Sequence, residues 1–275
     1  GCDLLLLIGG NPASNHPRLM RTMIDLRRRG GKVIVINPLR EIGLVNFRVP
    51  SDPRSLLFGS KIADEYLQPH ISGDIALLTG IAKSLLETGP SAVAEQFIAD
   101  HTEGFGAFRA RILATPWAHI ESDSGIPLPD IHRIAGLYAR SRNALFCWTM
   151  GITHHQHGVH NVRAIANLAL LRGMLGRPGA GLLPLRGHSN VQGIGSMGAV
   201  PELKGATLAA IEEKLGLALP PTPGLDTLAC IRRAGEGRVK VAVHLGGNLF
   251  GSCPDAAAAQ AALAKIGLTV FLSTT

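Results

Sequence analysis

A Gly-Gly-Asn turn with a proline six positions after the asparagine occurs twice. One copy is Gly9, Gly10, Asn11 and Pro17, the other Gly246, Gly247, Asn248 and Pro254. Each copy follows an apolar run, Leu4 to Ile8 or Val241 to Val243, and leads into a helical pattern. Each is closed by a second apolar run with a polar tip: Val33 to Ile36 before Asn37, and Leu268 to Leu272 before Ser273 and Thr274. The spacing from Asn11 to Asn37 equals that from Asn248 to Thr274. A chain that writes strand, glycine turn, helix and strand twice at one spacing predicts parallel strands joined by crossover helices. It also predicts two nucleotide-like ligands, or one ligand with two similar halves.

The chemistry of such a unit follows from its parts. Glycine lets the backbone approach a phosphate because no Cβ intervenes. The helix that follows offers unpaired N–H groups and the positive end of its dipole. The tip of the next strand is where doubly wound folds hold a ribose or a base. Neither copy is the G-x-G-x-x-G dehydrogenase fingerprint, and no P-loop lysine follows the glycines. A turn that serves only to reverse the chain is the competing reading of either copy alone.

With 46% apolar residues, the 275-residue chain can bury a core for one large or two ordinary α/β domains. The net charge of +7 is scattered, with Arg27, Arg28 and Arg29 the longest basic run and no aromatic interleaving. That balance suits an anionic cofactor or substrate as well as a nucleic-acid surface. Cys2, Cys147, Cys230 and Cys253 are isolated, so no CxxC spacing points to zinc or an iron–sulfur cluster. Cys147 and Cys230 lie in apolar runs and are expected to be buried thiols. No segment is long and apolar enough to span a membrane, and no signal peptide opens the chain. The chain starts without Met on a strand and reads as a piece of a longer protein, so the expected cytoplasmic location holds unless a targeting signal lies upstream.

Alternating apolar runs and helical patterns predict strands at Asp3 to Ile8, Lys32 to Ile36, Val45 to Val49 and Ala144 to Thr149. Helices are predicted at Pro17 to Arg29, Ile75 to Leu86 with Asp74 as N-cap, Ala92 to Ala99, Phe105 to Leu113 and Pro129 to Ala139. The pattern from Val159 to Leu175 is apolar around most of its circumference and predicts a largely buried helix. A glycine-rich run, Gly176 to Gly198, is expected to be an ordered loop packed on a ligand or on other parts of the protein. The boundary between two α/β domains, 1–188 and 189–275, is placed within it. The second domain is expected to hold helices at Leu208 to Leu215, Leu225 to Ala234 and Ala256 to Ile266, and strands at Val239 to His244 and Leu268 to Leu272.

Two groups of side chains carry chemistry. His154, His155, His157 and His160 follow a strand tip. Adjacent histidines share one ion poorly and no local Asp, Glu or Cys joins them, so hydrogen bonding to a ligand is favoured over metal binding. Arg186 stands in a nearly uncharged loop. It either holds an oxyanion bidentately or satisfies loop carbonyls. His188 can orient the same substrate or exchange a proton with it. No Ser–His–Asp or Cys–His pair and no paired carboxylates are evident.

These residues together resemble the central part of the molybdopterin oxidoreductases, and among them the formate-dehydrogenase-like alpha subunits. The matching motifs are Gly9-Gly10-Asn11-Pro12-Ala13-Ser14-Asn15-His16-Pro17, Val33-Ile34-Val35-Ile36-Asn37-Pro38 and Gly73-Asp74-Ile75-Ala76-Leu77-Leu78. They continue through Met150-Gly151-Ile152-Thr153, Asn161-Val162-Arg163-Ala164, Gly176-Arg177-Pro178-Gly179 and Arg186-Gly187-His188-Ser189-Asn190-Val191-Gln192-Gly193, in order over almost the whole chain.

The resemblance implies an α/β fold of two Rossmann-like αβα units with mainly parallel sheets, related by a pseudo-twofold. It implies bis-molybdopterin guanine dinucleotide with molybdenum or tungsten. Ile8, Gly9, Gly10, Asn11, Pro12, Ala13, Ser14 and Asn15 would line the guanosine diphosphate of one dinucleotide. Ile36, Asn37, Pro38, Leu39 and Arg40, with Ser72, Gly73 and Asp74, would meet its ribose and guanine. Met150, Gly151 and His154 would lie near the cofactor, and Asn248, Ser273 and Thr274 would serve the second dinucleotide. Arg186 corresponds to the arginine beside the metal that orients substrate. His188 stands where those enzymes commonly carry Gln, and Asn37 replaces a frequent acidic residue. The metal ligand, an iron–sulfur cluster and the cofactor-closing domain would lie outside these residues, so the piece alone is expected to be inactive. Implied partners are a small anion such as formate and electron-transfer subunits, with no nucleic acid. The rival readings are a nicotinamide-dependent dehydrogenase and a non-catalytic cofactor-binding module.

Overall fold

Five consecutive apolar residues with no polar alternation need cover on both faces, and Leu4–Ile8 (β1) receives it. The computed structural model describes residues 1–188 and 190–273, in two units, Gly1–Gly187 and His188–Thr275. In the first unit β1 leads through the single turn Pro12–Asn15 (α1) and the helix Pro17–Arg28 (α2) to Lys32–Ile36 (β2). Ile42–Val45 (α3), Asn46–Phe47 (β3), Pro53–Phe58 (α4) and Ser60–Lys61 (β4) precede Glu65–Leu67 (β5). A helical stretch follows: Asp74–Thr88 (α5), Glu95–His101 (α6), Phe105–Ala114 (α7), Trp117–Ser124 (α8) and Leu128–Arg140 (α9). Ala144–Trp148 (β6), Met150–Thr153 (α10), Gly158–Leu171 (α11) and Gly181–Pro184 (β7) complete the unit.

The main sheet has the order β5-β2-β1-β6-β7, and every neighbouring pair is parallel. Ile8 lies opposite both Ile36 and Trp148, so the carboxyl ends of three central strands are flush. Strand periodicity divides the core in two. Leu4, Leu6 and Ile8, with Phe146, pack against Ile81 of α5, Ile131 of α9 and Ile165 of α11. Leu5 and Leu7, with Val33 and Val35, pack against Met20, Met23 and Ile24 of α2. At about 1.5–3 kcal/mol per buried aliphatic side chain, these two layers supply most of the unit's cohesion.

The structure corrects several expectations. Val45 to Val49 is not a third strand of the sheet. Val45 ends α3, and Asn46 and Phe47 pair antiparallel with Ser60 and Lys61 in a separate ribbon. The strand beside β2 is β5, three residues long and too short to show a period. Gly73, not Asp74, occupies the N-cap of α5, and no side-chain cap bond is made. The helix α11 stops at Leu171 because the chain turns over at Gly173 (φ +58°), with Met174 N–H donating to the Ala169 carbonyl. It is not buried all round: Val159, His160, Arg163 and Asn167 are exposed. The glycine-rich run contributes β7 to the sheet as well as a short helix, Val191–Ser196. Cys147 is buried, but Cys230 is exposed, because its helix turns Ile231 and Ala234 inward instead.

The second unit contains Val191–Ser196 (α12), Gly205–Leu215 (α13), Thr227–Gly235 (α14), Val241–Leu245 (β8), Leu249–Ser252 (α15), Ala256–Leu263 (α16) and Leu268–Leu272 (β9). β8 and β9 are parallel, with Val241 opposite Leu268. Ile231, Ala234 and Ala262 form a small core, and Val241, Val243 and Leu245 are exposed.

Candidate cofactor-binding crevice

The strand order reverses between β1 and β6. The crossover from β1 runs outward to β2 and that from β6 outward to β7, so the loops leaving Ile8 and Trp148 diverge and open a crevice at the carboxyl edge. Gly9 (φ +60°) donates its N–H to the Ile36 carbonyl at 2.9 Å. Its own carbonyl accepts from Gly151 N–H at 3.1 Å and from the Thr149 hydroxyl. A Cβ on Gly10 would lie 2.6 Å from Thr149 Cγ2, and one on Gly151 2.6 Å from the Gly9 oxygen. Gly9 and Gly151 therefore let the backbones of two loops touch, and Gly10 makes room for the Thr149 side chain. The N–H groups of Gly10 and Asn11 have no partner among the described residues. Asn11 Nδ2 donates to Ser14 Oγ at 3.2 Å, and its Oδ1 is buried without a partner. Pro12, Ala13, Ser14 and Asn15 form α1, with Ser14 and Asn15 exposed.

Asn37 is buried at the tip of β2. Its Nδ2 donates to the Gly10 carbonyl at 3.4 Å and its Oδ1 accepts from Leu39 N–H at 3.0 Å, which fixes the turn Pro38, Leu39, Arg40. The Tyr66 hydroxyl donates to the Leu39 carbonyl at 2.6 Å and accepts from Glu41 N–H at 3.0 Å. Burial pushes the Tyr66 phenol up, which keeps it a donor. Gln68 Nε2 donates to the Pro38 carbonyl at 3.0 Å. Arg40 and Leu39 are left exposed at the rim.

At the start of α5, Ser72 holds a left-handed φ of +69°. Gly73 has no room for a side chain, since a Cβ would lie 2.8 Å from the Asp123 carbonyl. The Asp74 carboxylate lies 3.9 Å from His155 Nε2. Burial pushes the Asp74 carboxyl up, and the neighbouring His155 imidazole opposes that only in part. His155 Nε2 contacts the side-chain amide of Asn161, while its Nδ1 accepts from His157 N–H at 3.3 Å. Asn161, fully buried, donates to the Ile152 carbonyl at 3.0 Å. The loop after β6 is thus anchored to α5 through Asp74, His155 and Asn161.

The histidine cluster does not act as one group. His154 ends α10 and is exposed, His155 faces Asp74, and His157 and His160 turn toward α7. Thr149 and Asn161 were absent from the sequence-derived site. Thr149 lacked any signal beyond its place after a strand. Asn161 signalled itself as a polar residue on an apolar helix face.

Arg186 follows β7 and is exposed. Its backbone carbonyl accepts from His16 Nε2–H at 2.6 Å, tying this loop to the α1–α2 junction. Its guanidinium makes no hydrogen bond or ion pair among the described residues. Arg172 and Arg177 behave differently: they bond to the carbonyls of Tyr138, Ser141 and Arg142. Among the described residues, the Arg186 side chain satisfies no loop carbonyl. His188 opens the second unit and is exposed. In that unit Asn248 caps α15, its Oδ1 accepting from Gly251 N–H at 2.8 Å. Ser273 follows β9, and Thr274 lies outside the described residues, as does Ser189.

Comparison with known proteins agrees with this architecture. The molybdopterin oxidoreductase family profile matches residues 2–274. The chain belongs to the molybdopterin oxidoreductase family. It is 39% identical over 277 residues to an uncharacterized oxidoreductase of Mycobacterium tuberculosis, covering 99% of this chain and 36% of that protein. It is 29% identical over 277 residues to formate dehydrogenase H of Escherichia coli, covering 98% of this chain and 36% of that protein. The chain thus spans little more than a third of the length of these relatives. Acetylene hydratase from Pelobacter acetylenicus shares the fold, with a TM-score of 0.65 at 18% identity over 98% of this chain and 38% of that one. Among the described residues, no helix is long and apolar enough to cross a membrane.

Proposed function

We propose that the intact protein is a molybdenum- or tungsten-dependent oxidoreductase that holds bis-molybdopterin guanine dinucleotide and oxidises formate or a similarly small anion. The observation that carries this reading is the unpaired polar set at the β1–β6 crevice. The N–H groups of Gly10 and Asn11 are donors for a phosphate oxygen, and buried Asn11 Oδ1 is an acceptor for a nucleotide N–H. The donor set fits a guanosine diphosphate.

When bound, the group supplies a metal that takes two electrons at a time. This chain's residues do the holding. Ile8 to Asn15 form the wall along the diphosphate. Ile36 to Arg40 and Ser72 to Asp74 meet ribose and guanine. Met150, Gly151 and His154 close the adjacent strand tip. Asn248, Ser273 and Thr274 serve the second dinucleotide. Arg186, with its guanidinium unpaired among the described residues and its carbonyl anchored on His16, grips the substrate oxyanion, and His188 orients the substrate or exchanges a proton with it. Formate would leave as carbon dioxide, releasing two electrons and a proton. Electron-transfer subunits, an iron–sulfur cluster and a cytoplasmic location belong to the same reading.

The test is metal and pterin analysis of the full-length protein purified without air. Molybdenum or tungsten with about two guanine nucleotides per metal is the expected result. Absence of both, from a host able to make the cofactor, would overturn the reading.

A further inference from the structure

A cleft of about 570 Å³ between α5, α7 and α11 has no part in the reading above. Its volume is that of a small-molecule site. The floor is apolar. Ile75, Leu78 and Ala82 share one face of α5, and Leu168 of α11 meets them. Its wall includes four basic residues: Arg111 from α7, and His157, His160 and Arg163 at the start and middle of α11. None of the lining residues is acidic.

Neither Arg111 nor Arg163 makes a side-chain hydrogen bond or ion pair among the described residues. Arg111, in the last turn of α7, complements that helix's dipole. Arg163 has no such role, since it lies in the interior of α11. Two exposed guanidinium groups line one apolar-floored cleft and present unused donor forks. An oxyanion would engage both forks. A smaller adjoining hollow of about 220 Å³, sharing Phe108 and Asn167 with the cleft, carries Glu103.

We propose that this cleft binds a small organic anion, a carboxylate or phosphate ester, with its charged head between Arg111 and Arg163 and its apolar body on Leu78, Ala82 and Leu168. No residue lining this cleft belongs to the proposed cofactor wall, although Ile75 follows Asp74 in α5, and the proposal does not depend on the cofactor reading.

Phenyl phosphate and benzoate serve as probes in isothermal titration of the full-length protein, with benzyl alcohol as the uncharged control. Saturable binding of one charged probe is expected, and the stronger probe identifies the head group. The double substitution Arg111→Gln/Arg163→Gln should weaken it at least about tenfold. Arg186→Gln should leave it unchanged, which separates this cleft from the proposed substrate site. On the unsubstituted protein, the bound probe should also protect Arg111 and Arg163 from phenylglyoxal, read by mass spectrometry. Three results would each overturn the proposal: no saturable binding of either charged probe, equal binding of benzyl alcohol, or binding and modification that ignore the two arginines.

Discussion

Gly151 donates its backbone N–H to the Gly9 carbonyl across 3.1 Å, and this bond helps join the loop after β1 to the loop after β6. The Thr149 hydroxyl bonds to the same oxygen. Crevice width is thereby set by a main-chain contact that the Thr149 side chain reinforces. A methyl group on Gly151 would lie 2.6 Å from the Gly9 oxygen, and backbone cannot yield there cheaply. Gly151→Ala is expected to cost about 1–3 kcal/mol. It should lower the melting temperature by several degrees and reduce the guanine recovered from the purified protein. Gly106→Ala is the control. Its Cβ meets open space on α7, so stability should rise slightly, by up to about 1 kcal/mol. Wild-type guanine content in Gly151→Ala would show that the loops are not held as described.

Arg186 yields a kinetic prediction. Its side chain has no structural partner among the described residues, so Arg186→Gln should leave the melting temperature and cofactor content unchanged. Loss of a charge-assisted hydrogen bond to substrate is worth about 1.5–3 kcal/mol, or roughly 10- to 100-fold in kcat/KM for a small anion. Arg186→Lys should recover part of the loss, because it keeps charge but not the fork. A fall in cofactor content with unchanged kinetics per metal would move Arg186 from substrate to cofactor wall.

The repeated glycine turn made the crossover units readable, because β1, α2 and β2 announce themselves through an unbroken apolar run, an amphipathic period and a glycine stop. What stayed hidden was short or borrowed its order from elsewhere. β5 is three residues that become a strand only by pairing with β2, and β7 is a glycine-rich loop that becomes one only beside β6. The same limit applies to the site. Gly9 and Gly10 were read as room for a phosphate, yet the space their missing Cβ atoms leave is filled by Thr149 and Gly151, more than a hundred residues away. No local pattern encodes that contact. The two Gly-Gly-Asn copies also differ: Asn248 Oδ1 caps its helix, while Asn11 Oδ1 is left unpartnered.

Acid stability should hinge on Asp52. It caps α4, accepting from Ser55 N–H at 3.1 Å, and pairs with Arg28 at 2.5 Å and Arg21 at 3.4 Å. The hydrogen bond from Arg28 is the main reason its carboxyl is held down at about 2. A carboxyl that is more acidic folded than unfolded stabilises fully above the unfolded value and loses that contribution as pH falls from about 4 toward 2. Asp52→Asn keeps a capping oxygen but loses the charge. Its melting temperature should be lower than wild type at pH 7, and the two should converge at the acid end of the range. A constant gap across the range would mean that the cap, not the charge, carries the effect.

Asp74 has the opposite sign. Burial raises its carboxyl above the usual aspartate value, and His155 at 3.9 Å offsets only part of that. A group that holds its proton more tightly folded than unfolded stabilises most below the unfolded value, and stability falls as pH rises through the folded value. At neutral pH the ionised side chain is therefore a liability in the cofactor-free protein, which is the signature expected of a residue kept for binding rather than for folding. Asp74→Asn should raise the melting temperature of cofactor-free protein at pH 7, with the difference closing below about pH 4. The same substitution should lower the guanine content of protein purified with its cofactor, since an amide oxygen receives guanine N–H donors less strongly than a carboxylate. Thermal melts across pH measure the first effect and nucleotide release measures the second. A pH-independent gain would remove the charge from the explanation, and unchanged guanine content would remove Asp74 from the base-binding wall.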